Sequence, residues 1–254
     1  MNKINVISHR GANRRAPQNT IPAFKKSLEI GVDGFETDVH LTKDNIPVIC
    51  HNYDIDETST GKGLICEKTY DELKEYDFGS YFSSVYSGVT LPLLTEFLEI
   101  CASSDIKVMN IELKEPKDGK TDIVEKTISL VKEYNLFDRL LISSFSPELL
   151  VHCKSVDPAT KTGFLYSPDK KIFYESMLTK YVEYAQSIKA DYLHPHYSMV
   201  SPTYVDLLHQ AGIGVNPWTV NNESDVKKMI KCGVDGIITD VPDEVKCIIA
   251  EYNE

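Results

Sequence analysis

Apolar residues recur along the chain in two alternating spacings, which predict strands and helices in turn. Short β-prone runs predict strands at 4–7, 34–41, 46–50, 106–113, 140–143, 162–166, 191–194, 213–218 and 236–239. Apolar spacings of three and four predict helices at 21–30, 69–76, 94–102, 121–134, 173–188, 202–211, 222–231 and 243–252, with another that begins near Ser146. Regular alternation of strand and helix is typical of a parallel sheet with helical crossovers.

A short internal sequence repeat favours a closed barrel over an open sheet. Residues 31–38 read GVDGFETD and residues 233–240 read GVDGIITD, so the same helix-to-strand connection occurs near both ends of the chain. We therefore predict a single α/β domain over residues 1–254, a TIM (β/α)8-type barrel. Nine candidate strands compete for eight places, and the run 46–50 is expected to lie outside the barrel. Residues 52–90, which are irregular and rich in Ser, Thr, Gly and Tyr, are predicted to be an insertion or lid.

Composition narrows the classes of partner. The formal net charge of −11 argues against nucleic acid and anionic membranes, because their phosphates would be repelled. The six cysteines are widely spaced, which predicts reduced thiols rather than a zinc ribbon or disulfide scaffold. Since there is neither a signal-like apolar stretch near the N-terminus nor a run of membrane-spanning length, we expect a cytoplasmic protein without stable membrane association, either monomer or homodimer.

Two carboxylates on one predicted strand are the first candidate for chemistry. Glu36 and Asp38 are two residues apart, so their side chains point to the same face. Buried together they would repel each other, and a bound Mg²⁺ or Ca²⁺ would relieve that repulsion. A pair of carboxylates facing solvent at a strand end is the alternative.

His51 is expected to lie beside these carboxylates. A two-residue turn at Asp44 and Asn45 would place Asp38 opposite His51 on the same face of a hairpin. A turn one residue longer would shift the register but keep His51 close to Glu36 and Asp38. A single histidine is also often structural.

The first strand ends in a second candidate group, His9, Arg10 and Gly11. Active sites of barrels form at the carboxyl ends of strands. His9 could exchange protons near neutral pH, and Arg10 offers a planar fork for phosphate oxygens. A packed histidine and an ion-paired arginine are the alternative interpretation.

Three further residues complete the candidate site. Glu112 and Lys114 share a face at the end of another strand, where Glu112 would add a metal oxygen and Lys114 a contact to phosphate. Trp218, the only tryptophan, ends the run 215–218 and could form a wall of the substrate pocket or belong to the core. A zinc site at His194, His196 and His209 is a weaker alternative, since no carboxylate or cysteine lies at ligand spacing nearby.

Taken in order, these motifs resemble those of the glycerophosphodiester phosphodiesterases of the short, soluble bacterial type. The resemblance covers nearly the whole chain and rests on the following segments: 9–11, 17–20, 36–39, 42–44, His51, 60–63, 91–94, 111–114, 143–145, 218–221 and 233–240. It implies a TIM barrel with a small insertion after the third strand.

The resemblance also implies roles for the candidate residues. One divalent cation would be held by Glu36, Asp38 and Glu112. His9 and His51 would be the acid–base pair, while Arg10 and Lys114 would contact the phosphate.

The sequence departs from the family's common pattern at two positions. Gln18 stands where the family often has Glu, and Asn52 stands where it often has Asp. Gln18 is therefore expected to form hydrogen bonds rather than ligate the metal, and Asn52 puts the orientation of His51 and the strength of metal binding in question.

The expected activity is metal-dependent hydrolysis of glycerophosphodiesters, such as glycerophosphocholine and glycerophosphoethanolamine, to sn-glycerol 3-phosphate and an alcohol. One histidine would take a proton from the attacking hydroxyl and the other would protonate the leaving alcohol. Two alternatives stay open: a phospholipase-type barrel acting on lysophospholipids or phosphoinositides, with Tyr81, Phe82 and Tyr86 as an apolar rim, and a non-catalytic barrel that binds phosphodiesters.

Overall fold

The computed structural model describes residues 3–120, 122–168 and 178–252, and within these ranges nine strands form one sheet. The strands are β1 (Asn5–His9), β2 (Gly34–Leu41), β3 (Pro47–Ile49), β4 (Val108–Leu113), β5 (Leu140–Ser144), β6 (Lys161–Tyr166), β7 (Tyr192–Pro195), β8 (Gly214–Val215) and β9 (Gly236–Thr239). The helices are α1 (Ile21–Ile30), α2 (Tyr70–Leu73), α3 (Leu94–Ala102), α4 (Ile123–Glu133), α5 (Pro147–Val156), α6 (Leu178–Ser187), α7 (Pro202–Gln210), α8 (Glu223–Cys232) and α9 (Pro242–Tyr252).

Eight parallel strands run in the order β8-β7-β6-β5-β4-β2-β1-β9. Backbone hydrogen bonds join the two ends of this row: Asp235 N donates to Val215 O at 3.0 Å, and Ile238 N donates to Pro217 O at 3.0 Å. The sheet is therefore the predicted TIM barrel. Apolar residues on its outer face pack under the helices, as where Phe24 of α1, Phe35 of β2 and Phe97 of α3 place their ring centroids 4.8 to 5.8 Å apart.

The ninth strand lies outside the barrel, as the count of candidate strands predicted. Strand β3 is antiparallel and pairs with β2 alone. The predicted register of this hairpin is wrong by one residue, since Val39 pairs with Ile49 and Leu41 with Pro47. The loop has three residues rather than two because Asn45 takes a left-handed conformation, φ 67°, which is common at the last position of a three-residue hairpin.

Two predicted elements differ from the structure in length. The predicted strand 213–218 ends as β8 at Val215, because Pro195 of β7 has no N–H to donate to Asn216 O, and pairing resumes where Trp218 pairs with His196. The predicted helix 173–188 is described only from Leu178, as α6, and its first residues lie outside the described residues.

The segment 52–90 follows β3 and has a small apolar core of its own. Besides α2 it contains the 3-10 turns Ile65–Glu67 and Ser84–Tyr86. This core consists of Ile55, Ile65, Leu73 and Phe78 of the segment together with Val48 of β3 and the flanking Cys50 and Leu91. Two tyrosines fasten the segment to the loop after β1: the hydroxyl of Tyr81 accepts from Gln18 N at 3.1 Å, and that of Tyr86 donates to Arg15 O at 2.8 Å.

The cysteines are unpaired, as their wide spacing in the sequence predicted. All six cysteines are free thiols, and four of them are buried. Of the helices in the described ranges, none combines the length and apolarity that crossing a membrane requires.

Candidate active site

The carboxyl ends of the barrel strands bring together residues that are distant in sequence. His9 is the last residue of β1 and pairs in register with Glu36 of β2, while Asp38 of β2 pairs with Glu112 of β4. His51 lies two residues after the end of β3. The β2–β3 hairpin and three parallel strands thus place these side chains at one end of the barrel.

A tight turn after β1 presents His9 and Arg10 to this end. Arg10 and Gly11 both have positive φ, 56° and 75°. The turn is held by Arg10 N, which lies 3.0 Å from Glu36 O and 3.0 Å from Glu36 Oε2. A Cβ on Gly11 would lie 2.7 Å from Ala23 Cβ, so the position needs glycine for both its conformation and its space.

Three carboxylates form a buried cluster that could hold a metal ion. One oxygen each from Glu36, Asp38 and Glu112 lies within 4.8 Å of the others, and this is the only group of three or more acidic, His or Cys ligands among residues 3–120, 122–168 and 178–252. The Lys114 ammonium lies 2.7 Å from Asp38 Oδ1, and Arg10 Nε lies 3.5 Å from Asp38 Oδ2. Two cations against three carboxylates leave negative charge in excess, so the donor set fits a divalent cation.

Burial and the neighbouring charges shift the pKa values of the three acids in different directions. Burial raises the pKa of Glu36 well above its ordinary value, and the charges of Asp38 and Glu112 raise it further. Burial also raises the pKa of Glu112 to about 7, against the opposing charge of Lys114. For Asp38, burial is outweighed by Lys114 and Arg10, which hold its pKa well below the ordinary range. A cation would replace the protons that Glu36 and Glu112 otherwise retain.

His9 is oriented by a carboxylate from the last strand. Its Nδ1 lies 2.7 Å from Asp240 Oδ1, which leaves Nε2 on the side of the carboxylate cluster, 3.9 Å from Glu36 Oε2. Asn13 and Asn221 each donate to Asp240, at 2.6 and 2.8 Å. Burial lowers the pKa of His9, although the hydrogen bond to Asp240 opposes this.

Unlike His9, His51 is hydrogen-bonded to an uncharged side chain. Its Nδ1 lies 2.7 Å from Asn52 Oδ1, and Asn52 Nδ2 donates to Glu57 at 3.2 Å. Burial lowers the pKa of His51 to about 4, against the attraction of Asp38. The amide of Asn52 therefore fixes the ring of His51 without adding a charge beside it.

Gln18 forms hydrogen bonds, as expected from its lack of charge. Its Oε1 accepts from Arg10 Nη1 at 2.7 Å. Together with the ion pair to Asp38, this contact fixes the guanidinium at the edge of the site.

Two cavities meet at this end of the barrel. The inner one, about 170 Å³, is lined by His9, Arg10, Glu36, His51, Asn110, Glu112, Phe145, Leu165, Trp218 and Ile238. The outer groove, about 490 Å³, is mainly polar and is lined by His51–Asp54, Glu112–Glu115, Lys117 and Ser144–Ser146. Both include His51, Glu112 and Phe145, so the candidate catalytic groups lie at their junction.

Three polar residues of the site were not predicted from the sequence. Asp240 orients His9, and Asn19 donates to Asp38 Oδ2 at 2.8 Å. Asn110 lines the inner cavity. Asp240 and Asn19 had detectable signals, because the internal repeat aligns Asp240 with Asp38 and Asn19 belongs to the segment 17–20 that carries the family resemblance.

The alternative zinc site does not form. His194 is buried in the barrel, where its Nε2 lies 3.2 Å from Asn216 Nδ2. His196 contacts Ser198 at 2.8 Å, and His209 pairs with Asp235 at 2.8 Å near the amino ends of the strands. Trp218 donates from Nε1 to His194 O at 2.8 Å, and its ring packs edge-on against Phe145 in the wall of the inner cavity.

Comparisons with known proteins agree on one family. A family model described as the glycerophosphoryl diester phosphodiesterase family matches residues 9–244. A curated glycerophosphodiester phosphodiesterase of Caldanaerobacter subterraneus subsp. tengcongensis is 39% identical over 238 residues, which are 94% of either chain. One from Bacillus altitudinis is 34% identical and covers 94% of this chain and 95% of its own.

Solved structures resemble the whole barrel. An Oleispira antarctica phosphodiesterase, solved in complex with the product sn-glycerol-3-phosphate, has a TM-score of 0.87 and 30% identity over 97% of this chain and 96% of its own. A Silicibacter pomeroyi protein described as a glycerophosphoryl diester phosphodiesterase has a TM-score of 0.89 and 27% identity over 99% and 94%.

Proposed function

Because the chain belongs to the glycerophosphodiester phosphodiesterase family and is an enzyme of that class, we propose that it hydrolyses glycerophosphodiesters to sn-glycerol 3-phosphate and an alcohol, with His9 and His51 as the acid–base pair. Glycerophosphocholine and glycerophosphoethanolamine are the proposed substrates. The observation that carries this proposal is that both histidines line one cavity together with Glu36 and Glu112, two members of the buried group of three carboxylates.

Glu36, Asp38 and Glu112 would hold one divalent cation, either Mg²⁺ or Ca²⁺. When bound, the cation neutralises phosphoryl oxygens and lowers the pKa of a coordinated hydroxyl. Two side chains would supply the other contacts to the phosphate. Arg10 keeps unused N–H groups beyond its contacts to Gln18 and Asp38, and these can bind a phosphate oxygen. Lys114 stands between Asp38 and Glu112 with a third N–H to offer.

The histidines are placed for proton transfer because each has its Nδ1 fixed by another side chain. Asp240 holds His9 and Asn52 holds His51, so each ring keeps Nε2 for the reacting groups. One Nε2 accepts the proton of the attacking hydroxyl, either water or the 2-hydroxyl of the glycerol. The other donates a proton to the leaving alcohol, which avoids a costly alkoxide.

The alternative phospholipase-type reading has weaker support. Of the predicted rim residues, Tyr81 and Phe82 are exposed, as is Val85 beside them, which an apolar rim would need. The hydroxyls of Tyr81 and Tyr86, in contrast, are engaged in fastening the segment to the loop after β1. The names of the curated relatives also favour the glycerophosphodiester reading over both this one and a non-catalytic barrel.

A single assay separates these functions. The protein is incubated with glycerophosphocholine, glycerophosphoethanolamine or lysophosphatidylcholine, with Mg²⁺ or Ca²⁺ and with EDTA, and glycerol 3-phosphate and free choline are measured. We expect glycerol 3-phosphate from the two glycerophosphodiesters only, and none with EDTA. Failure to release it from any glycerophosphodiester with either cation present would refute the proposal.

A further inference from the structure

One polar residue of the inner cavity has no role in the arrangement described so far. Asn110 lies on β4, two residues before Glu112 and in register with Glu36 of β2. Its side chain faces the inner cavity and is 1% exposed. Neither its Oδ1 nor its Nδ2 has a hydrogen-bond partner among the described residues.

A buried amide without hydrogen bonds lowers the stability of the folded protein. Native proteins pair nearly all their buried polar groups, and an unpaired buried amide destabilises the fold relative to an apolar side chain of similar shape. An amide that faces a cavity and has two unused polar atoms is therefore suited to a ligand that can both donate and accept hydrogen bonds. A hydroxyl group is such a ligand, because it has one O–H and two lone pairs.

The walls of the inner cavity indicate which part of a phosphodiester would enter it. The inner cavity is also lined by Phe145, Leu165, Trp218 and Ile238. The trimethylammonium of choline has no hydrogen-bond donor or acceptor, and the ammonium of ethanolamine has donors only, so neither group can satisfy both polar atoms of Asn110. The outer groove is open and mainly polar and has charges of both signs, with Asp54 and Glu115 beside Lys114 and Lys117, so a charged alcohol can stay hydrated there. A small neutral polyol with apolar C–H surface matches the inner cavity.

We propose that Asn110 hydrogen-bonds a hydroxyl of the glycerol moiety and thereby makes the inner cavity selective for glycerol. This proposal rests on the glycerophosphodiesterase activity proposed above. The amide touches neither Lys114 nor the carboxylates through a hydrogen bond within the described ranges, so it acts on the substrate rather than on the metal site. Without a hydroxyl to bind, Asn110 stays unpaired, and this penalty disfavours substrates that lack the glycerol.

The test replaces Asn110 with Leu, which is close in shape, and with Ala, which adds no volume and keeps the test valid if Leu prevents folding. Each variant is assayed with glycerophosphocholine, with its analogue 3-hydroxypropyl phosphocholine, which lacks the 2-hydroxyl, and with bis(p-nitrophenyl) phosphate, which has no glycerol. Binding of glycerol 3-phosphate and Ca²⁺ is measured by calorimetry, and stability by thermal unfolding. Thr127→Val is the matched control, since Thr127 is also buried and unpaired but lies on α4 outside the barrel.

We expect Asn110→Leu to lower kcat/KM for glycerophosphocholine by about 10- to 100-fold, the effect of losing one to two hydrogen bonds to substrate. Activity on bis(p-nitrophenyl) phosphate and the affinity for Ca²⁺ stay within about threefold, and the unfolding temperature is unchanged or higher. Thr127→Val changes stability in the same direction and leaves all activities unchanged.

Three results would overturn the inference. They are equal losses with glycerophosphocholine and bis(p-nitrophenyl) phosphate, a fall in unfolding temperature in both variants, and unchanged kcat/KM for glycerophosphocholine. Each of these results counts against the inference only if the wild-type protein releases glycerol 3-phosphate. A wild-type protein that fails to do so refutes the proposed function instead, and the calorimetric loss of glycerol 3-phosphate affinity in the variants then still tests whether Asn110 binds the glycerol.

Discussion

His9 Nδ1 and Asp240 Oδ1 lie 2.7 Å apart, at the ends of the adjacent parallel strands β1 and β9. The contact fixes which ring nitrogen faces the carboxylate cluster, and the charge of Asp240 stabilises His9 when it is protonated. Asp240 is in turn held by Asn13 and Asn221, so its position does not depend on His9 alone.

Replacement of Asp240 by Asn should lower kcat by about 10- to 100-fold with little change in Ca²⁺ affinity, because Asp240 contacts the histidine and not the metal ligands. The pKa of His9 should fall further, since the carboxylate opposes the effect of burial, and the corresponding limb of the pH–rate profile should move to lower pH. Asp243→Asn is the control, because Asp243 pairs with the exposed Arg15. An unchanged profile would show that Asp240 is structural.

Loss of either histidine should separate catalysis from metal binding. His9→Ala and His51→Ala are each expected to lower kcat by about 10²- to 10⁴-fold, the usual contribution of general acid–base catalysis. Calorimetry with Ca²⁺ should show affinity close to that of the wild type. His209→Ala, at the other end of the barrel, should retain full activity. Retention of most activity by either active-site variant would contradict the proposed acid–base pair.

The three carboxylates should be needed for cation binding, and binding should stabilise the fold. Glu36→Gln, Asp38→Asn and Glu112→Gln are each expected to abolish measurable Mg²⁺ or Ca²⁺ binding and activity. In wild-type protein, a cation at 100 times its Kd should add about 2.7 kcal/mol of stability, which EDTA reverses. Glu125→Gln, a surface variant on α4, serves as the control. Equal thermal shifts in wild-type and triad variants would place the cation elsewhere.

Cation binding should strengthen as the pH rises through 7. The pKa of Glu112 is raised to about 7, and that of Glu36 is also raised, so both acids hold protons at mildly acidic pH. Protons and the cation compete for the same oxygens, so binding releases protons and weakens as pH falls. The thermal shift produced by Ca²⁺ should therefore grow between about pH 5 and about pH 8. A shift that is constant over this range would mean that both acids are already ionised.

Gly11 should be more sensitive to substitution than other glycines with positive φ. Gly11→Ala is expected to cost about 2 to 4 kcal/mol, because left-handed strain adds to a contact with Ala23. Gly212 has almost the same φ, 74°, and open space around it within the described structure, so Gly212→Ala should show the strain alone, about 1 to 2 kcal/mol. Urea unfolding measures both, and equal costs would show that the helix α1 yields at Ala23.

Local periodicity predicted the alternation of strands and helices and the shared face of Glu36 and Asp38, whereas closure of the barrel was predicted from the internal repeat and the family resemblance. Glu36 and Asp38 share a face on any strand, and the strand ends of a barrel converge. The exact position of His51 was not predictable, since it depends on whether Asn45 adopts a left-handed conformation. Asp240 and Asn110 were missed for another reason. Their importance comes from partners, or from the lack of one, on strands distant in sequence.

The separate apolar core of segment 52–90 has an evolutionary consequence. Asn52, Tyr53 and Asp54 form one wall of the outer groove, yet the side chains that fold the segment pack among themselves and against β3 rather than into the barrel. Changes in its length or sequence can therefore remodel that wall while the barrel core and the carboxylate cluster stay intact. If the outer groove holds the alcohol, as proposed above, preference for one alcohol over another is the property that such changes would alter.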